Sequence, residues 1–499
     1  MRRHNDVFEF HMAPKLPPCT LSPDLEATFE AAQTQESMQQ SCDLFLAAND
    51  SDWVHGVYCH QHLIYVRCPP LYRLIQERAV GPTVVPRPPG DAADLDSLLR
   101  DVNEDSSKVP QQPPACWTES RCWVPLDLPL AIVHHFLRFL YSESTKFGQL
   151  SLDQLYRLFL TASQWEVHRL AALCERQIKI RLSLDNVLHL LRASAVDTRA
   201  ASIQDACKQF FLANYQVCTN LQECEALDPR LLCELMRLNS AKVSLAPAFP
   251  PAPSSPAPTP QVLHSSSSAS QLPSTPGKRT ASSPWREEDS VKTKDASLPP
   301  DTLAQDLRRL LVEEIAPDFE VVVQDEVIPV HKFLLIARSK YFETCILTSG
   351  MMESQAGRLV IPPSWAMTAE AFRALLQFLY AEDDILEILA PHTAMYLVDA
   401  SSFYGLTNLR LKYFCELCVK DSFNETHVLQ LFEASSRLEV EGTQAVRSMA
   451  LDFIISNFHT VCQQPALEQL DKSLLIEIMR GVADRLHPSL PHSQAVQLG

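Results

Sequence analysis

The stretch Ile328-Pro-Val-His-Lys-Phe-Leu-Leu-Ile-Ala-Arg-Ser-Lys-Tyr-Phe342 decides the fold, because the chain carries it twice. The worn copy is Val57-Tyr-Cys-His-Gln-His-Leu-Ile-Tyr-Val-Arg-Cys-Pro-Pro-Leu71. Placing His331 on His60 also places Arg338 on Arg67 and Ser339 on Cys68. The pattern is a short strand, a histidine, then an apolar helix that in the second copy ends in Arg-Ser-x-Tyr-Phe. Repetition extends well beyond this stretch. Phe139-Leu-Tyr141 recurs as Phe378-Leu-Tyr380, Asn186-Val-Leu188 as His427-Val-Leu429, and Glu234-Leu-Met-Arg237 as Glu477-Ile-Met-Arg480. The offsets of 239, 241 and 243 drift too little for chance, so the chain is a duplication with short insertions.

Each copy opens with a helix. Asp301 is the expected N-cap in the second, with Leu303, Leu307, Leu311 and Ile315 following every fourth residue. In the first, Ser22-Pro23 predicts an N-cap and a proline at N1. Glu320 to Val323 reads as a strand and Gln324-Asp-Glu as a polar turn; the matching turn, Asn49-Asp-Ser-Asp52, belongs to a longer connection. Val133, Phe136, Leu137 and Leu140 form one face of a later helix, and Phe372, Leu375, Leu376 and Leu379 repeat that spacing.

Two stretches fall outside this scheme. Residues about 80–120 and about 241–300 are rich in proline and small or polar residues, and both read as disordered, since neither buries enough apolar surface to offset chain entropy. The second links the two halves. Within it, Arg279-Thr-Ala-Ser282 and Ser283-Pro mark Ser282 and Ser283 as candidate phosphorylation sites, although such patterns arise in any serine-rich linker.

A length of 499 residues suggests three or four domains, and 46% hydrophobic with 21% charged residues is ordinary for a globular protein. A formal charge of -17 opposes nucleic-acid phosphates and argues against general binding to them. No apolar run reaches the roughly 18 residues of a spanning helix, and Met1-Arg-Arg-His-Asn-Asp6 lacks a secretory apolar core. The fifteen cysteines are scattered and mostly sit in apolar helical patterns, which suggests reduced thiols.

The repeated strand–His–helix pattern resembles the BTB (POZ) fold, an α/β module built for protein pairing. The helical stretches that follow, marked by Asn186-Val-Leu188 with Phe210-Phe-Leu-Ala-Asn-Tyr215 and by His427-Val-Leu429 with Phe453-Ile-Ile-Ser-Asn-Phe458, resemble BACK domains. The order is similar to that of kelch adaptors carrying two BTB-BACK pairs, with a marked local likeness over Met395–Cys415. The implied fold is α+β and mostly α-helical. Its expected parts are a last kelch strand and linker at 1–21, a first BTB module at 22–182 and a first BACK domain at 183–240. The linker at 241–300, a second BTB module at 301–420, a second BACK domain at 421–485 and a tail at 486–499 follow. Asn5-Asp-Val-Phe-Glu-Phe10 resembles that kelch strand, whose propeller is then expected to be missing; the other reading is an N-terminal tail.

The resemblance also implies a mechanism. Such proteins bridge cullin-3 to a substrate for ubiquitination. In those adaptors an apolar-x-Glu motif after the Tyr-Phe helix packs on the cullin. Here Met351, Met352 and Glu353 stand at that place. Ile75-Gln-Glu77 follows Cys68 too closely to repeat the motif, and Pro69-Pro70 is expected to interrupt the first-copy helix, which suggests a structural or dimerising copy. Asp43 and Asp318 match a buried Asp near the dimer interface, with Arg67 and Arg338 as candidate partners. His60 and His331 are expected as core histidines, and Ser339, Tyr341 and Phe342 complete the predicted dimer core. Pairing is expected either between chains or between the two modules of one chain.

No phosphate loop, nucleophile elbow or H-E-x-x-H motif occurs, and Cys415-x-x-Cys418 stands alone on an apolar helix. No enzyme, metal or cofactor is therefore expected. The implied role is a cullin-3 substrate adaptor that restrains Ras signalling through Ras-family GTPases, in the cytoplasm and peripherally on Golgi membranes. The rival is a dimeric scaffold or transcriptional co-regulator that uses BTB surfaces without a cullin.

Overall fold

The structure is a computed structural model. It describes residues 18–49, 55–79, 121–245, 298–348, 356–362, 367–382, 389–398, 400–406, 410–437 and 441–486. The expected kelch strand, the 80–120 insertion and the 486–499 tail beyond residue 486 lie outside the described residues, as does nearly all of the 241–300 linker. The chain divides into two units, one of residues 1–177 with 300–499 and one of residues 178–299.

The first copy comprises α1 (Leu21–Thr34), α2 (Glu36–Ser41), β1 (Leu44–Ala47), β2 (Gly56–Cys59), α3 (Gln61–Arg67) and α4 (Pro69–Arg78). It continues through β3 (Cys122–Pro125), α5 (Leu130–Ser142), α6 (Leu152–Gln164) and α7 (His168–Ile180). Next come α8 (Val187–Ser194), α9 (Ala201–Ala213), α10 (Tyr215–Cys218) and α11 (Pro229–Leu245). The second copy runs α12 (Leu303–Val312), β4 (Phe319–Val323), β5 (Glu326–Val330), α13 (Lys332–Arg338), α14 (Lys340–Leu347) and β6 (Arg358–Val360). Then follow α15 (Ala369–Ala381), α16 (Pro391–Leu397), α17 (Ala400–Phe403) and α18 (Arg410–Asp421). The chain closes with α19 (Val428–Arg437), α20 (Glu441–Ser456), α21 (Phe458–Val461) and α22 (Lys472–Leu486).

Each copy builds a three-stranded sheet of the same topology, β2-β1-β3 and β5-β4-β6. The first two strands of each copy pair antiparallel, and the third returns parallel to the first. Leu44 and Leu46 face Cys59 and Val57 on one side and Cys122 and Val124 on the other, and all six are buried. Gln324 and Asp325 both take positive φ, 50° and 68°, which gives the tight twisted turn their polarity predicted. The α5 and α15 faces named from periodicity are buried throughout.

Local corrections are physical. The cap of α1 is Thr20, not Ser22, because a carboxylate from the other copy takes the first amides of this helix. Thr302, not Asp301, is the N-cap of α12, although the Asp301 carboxylate still accepts Leu303 N–H at 3.0 Å. That helix ends at Val312, so Leu310 rather than Leu311 completes its buried face. Pro69 and Pro70 do not interrupt a helix. Both copies break at this point, and the prolines occupy the first turn of α4, where a missing N–H costs nothing.

The helices α8–α11 repeat as α19–α22. In each set an asparagine after the second helix, Asn214 or Asn457, donates its side-chain amide to the carbonyl of Phe210 or Phe453 at 3.0 Å. Val428, Leu429, Phe432, Ala450, Ile454 and Ile478 form the core of the second set.

Candidate pairing interface

The two sheet-bearing copies lie in one unit and pack against each other. Helix α1 packs on α5 of its own copy and on α13 of the other; α12 packs on α15 of its own copy and on α3 of the other. The crossing is reciprocal, as in a two-fold dimer made from one chain.

Each side of the crossing is held by a buried acid–arginine–acid triad. Arg67 pairs with Glu143 of its own copy and, at 3.1 Å, with Asp306 on α12 of the other. Arg338 pairs with Glu382 of its own copy at 3.3 Å and with Asp24 on α1 of the other. The arginine side chains are 3% and 2% exposed, which removes these pairs from the weak surface class. Glu382 is fully buried and reaches across to accept the Thr20 and Leu21 amides at 3.1 and 3.0 Å. A carboxylate at a helix N-terminus satisfies donors that otherwise lack a partner and complements the dipole. Glu143 instead turns to Arg169 of its own copy at 2.8 Å. Burial pushes Glu143 and Asp306 upward in pKa, against the pull of Arg67. Both glutamates sit at positive φ, 55° and 48°, a conformation L residues adopt at a cost.

Between the triads lie the histidines. Tyr380 bridges His331 by accepting its backbone N–H at 2.9 Å and lying 2.8 Å from its Nδ1. The Nε2 of His331 faces the Ile315 carbonyl at 2.8 Å. A carbonyl only accepts, so Nε2 carries the proton and Tyr380 donates to Nδ1. Tyr141 bridges His60 in the same way, at 3.0 and 2.6 Å. Burial pushes the imidazoles down to about 3 for His60 and about 4 for His331. His60 stacks on Phe333 of the other copy, with centroids 5.1 Å apart. These histidines are thus core groups that also line the interface.

Asp43 and Asp318 are not partners of the arginines. Asp43 accepts Gln61 N–H at 2.9 Å, and Asp318 accepts Lys332 N–H at 2.8 Å, each at the start of the histidine helix. Asp318 is also exposed rather than buried, because an N-terminal amide and solvent satisfy it without a cation. Burial raises Asp43 to about 6.

Ser339 caps α14 by accepting Phe342 N–H at 3.3 Å and donates to the Tyr404 carbonyl at 2.6 Å; Cys68 reaches the Trp165 carbonyl at the matching place. Phe342 stacks on Tyr404 in the second-copy core, and half-buried Tyr341 meets Tyr404 edge-on; their helix α14 also packs on α2 of the other copy. Met351, Met352, Glu353, Ser282 and Ser283 lie outside the described residues.

The sequence reading missed Asp24, Asp306, Glu143, Glu382, Tyr141 and Tyr380 as a set. The signal was present: the offset aligning Phe139-Leu-Tyr141 with Phe378-Leu-Tyr380 also aligns Glu143 with Glu382. Among the described residues no three His, Cys, Asp or Glu side chains gather as a metal site, and no helix is long and apolar enough to cross a membrane.

Paired sheets crossed by reciprocal helices define a protein-pairing module, and residues 307–422 match the BTB/POZ domain. Along its length the chain is homologous to proteins named leucine-zipper-like transcriptional regulator 1. It is 23% identical to the human protein over 99% of this chain, which corresponds to 50% of that protein. It is 34% identical to the Drosophila melanogaster homologue over 34% of this chain and 16% of that one. BTB/POZ domain-containing protein 9 of the same fly is 26% identical over 36% of this chain and 24% of that protein. The chain spans about half the length of the curated relatives it matches throughout. The BTB/POZ domain and these BTB-containing homologues support an adaptor or scaffold that works through protein partners.

Proposed function

We propose that this chain is a non-catalytic substrate-adaptor subunit of a cullin-3 RING ubiquitin ligase, built as BTB-BACK-linker-BTB-BACK. The observation that carries the reading is the BTB/POZ domain at 307–422, which holds Met351-Met352-Glu353 in sequence between α14 and β6. An apolar anchor with one acidic contact suits a small, buried hot spot. Because the two modules pair with each other, the first serves as the structural partner of the second, and the second carries the cullin contact. Ras-family GTPases are the proposed substrates where a propeller is present to capture them, with the complex cytoplasmic and peripheral on Golgi membranes. Ser282 and Ser283 in the linker are proposed phosphorylation sites. The test is retention of purified cullin-3 on the immobilised full chain. Wild type is expected to retain it, and Met351→Ala/Glu353→Ala to lose it with helicity unchanged. Retention by the double variant removes the motif; no retention by wild type leaves the scaffold reading.

A further inference from the structure

The triads that hold the two modules together cannot choose between partners, because their residues repeat. Arg67 and Arg338, Glu143 and Glu382, and Asp24 and Asp306 are like residues at corresponding places. Thr20 and Thr302 precede α1 and α12 alike. A second module paired with another second module would keep every one of these contacts. A buried aromatic position at the crossing differs between the copies. In the register that places His331 on His60, His62 falls on Phe333. His62 is 3% exposed, lies edge-on to His331 with centroids 5.0 Å apart, and stacks over Phe333 at 6.3 Å with an interplanar angle of 13°. Its Nε2 donates to the Ala316 carbonyl of the other module at 2.7 Å.

We infer that His62 is the specificity-determining residue of the pairing surface, which fits the second module to a first module and discriminates against a second copy of the second module. In a pair of second modules, phenylalanine would occupy the place of His62 on both sides. Neither ring donates, so the two half-buried Ala316 carbonyls would both lose this partner. Selection by a lost hydrogen bond adds to selection by apolar fit. The inference stands whether or not the chain recruits a cullin.

The test cross-links full-length chains and maps the linked peptides, scoring links that join a first to a second module against links that join two second modules, with mixed isotopically light and heavy chains marking the latter. Wild type is expected to give first-to-second links and few second-to-second ones. Losing this hydrogen bond weakens pairing about tenfold, so His62→Phe is expected to raise the share of second-to-second links about tenfold. His62→Gln returns a donor toward Ala316 and is expected to behave as wild type. If ring packing alone set the choice, phenylalanine would pair at least as well as histidine, and glutamine would be the worse variant; that order overturns the inference. So does a wild type in which second-to-second links already prevail. Should His62→Phe lose its helical signal, His62→Leu compared with His62→Gln decides by the same readout.

Discussion

Replacing Arg338 with methionine tests the pairing most directly. The substitution keeps the length of the side chain and removes the cation between Asp24 and Glu382. Glu382 is fully buried, so its charge is left with the Thr20 and Leu21 amides and the Cys19 thiol as named donors. Breaking a buried ion pair by removing one member costs about 3–5 kcal/mol. At about 1.4 kcal/mol per factor of ten, opening of the crossing should become roughly a hundred to a few thousand times more frequent. Hydrogen exchange reads this without assuming two-state unfolding of a multidomain chain. Protection in α1 should fall by that factor, while α22, which belongs to the separate core around Ile454 and Ile478, should hold its rate. The control is Arg373→Met, which breaks a pair with Glu326 at 53% and 38% exposure; such surface pairs contribute about 0–1 kcal/mol. A change in α1 protection below about threefold, or one matched by Arg373→Met, would refute the triad argument.

Acid should loosen the interface. His60 and His331 have folded-state pKa values below their unfolded ones, so the unfolded chain binds more protons below about 6.5 and their stabilisation is lost as pH falls. Asp43, raised to about 6, binds its proton first in the folded state and offsets one histidine, and the raised Glu143 and Asp306 act in the same direction. Urea titrations between pH 6 and 4 should therefore show stability falling more steeply with acid in Asp43→Asn than in wild type, by about 1.4 kcal/mol per pH unit; equal slopes contradict the assignment. Tyr380→Phe removes the hydroxyl that serves both the Nδ1 and the backbone N–H of His331. It should cost about 1–3 kcal/mol, with Tyr141→Phe similar, as measured by urea midpoints. A Cβ on Gly56 would meet the Leu46 carbonyl oxygen at 2.3 Å and the Phe45 ring at 2.7 Å, so Gly56→Ala should lower thermal stability by about 1–3 kcal/mol. Among the described cysteines, Cys233 and Cys462 are exposed and should react first with a thiol reagent in peptide mapping, before buried Cys42, Cys68 and Cys122, whose thiols burial pushes to about 12.

The sequence by itself determined the duplication, the helix faces, the strand–turn–strand of the second copy and the core histidines. Those features depend on periodicity and on neighbours within a few residues, which a single chain records directly. It misplaced the partners of Arg67 and Arg338, because the carboxylates that answer them stand about 76 and 44 positions away in their own copies and farther still in the other. Asp43 and Asp318 were nearer in the repeat but belong to helix starts. Whether the two modules pair within one chain was open in the sequence, since both copies carry the same triad residues and either arrangement buries them. The tertiary structure decided it by bringing α1 onto α13 and α12 onto α3, where His62 meets a carbonyl that only the other module supplies. Which charges neutralise each other in a buried interface is set by distance in space, and sequence separation carries little of that information.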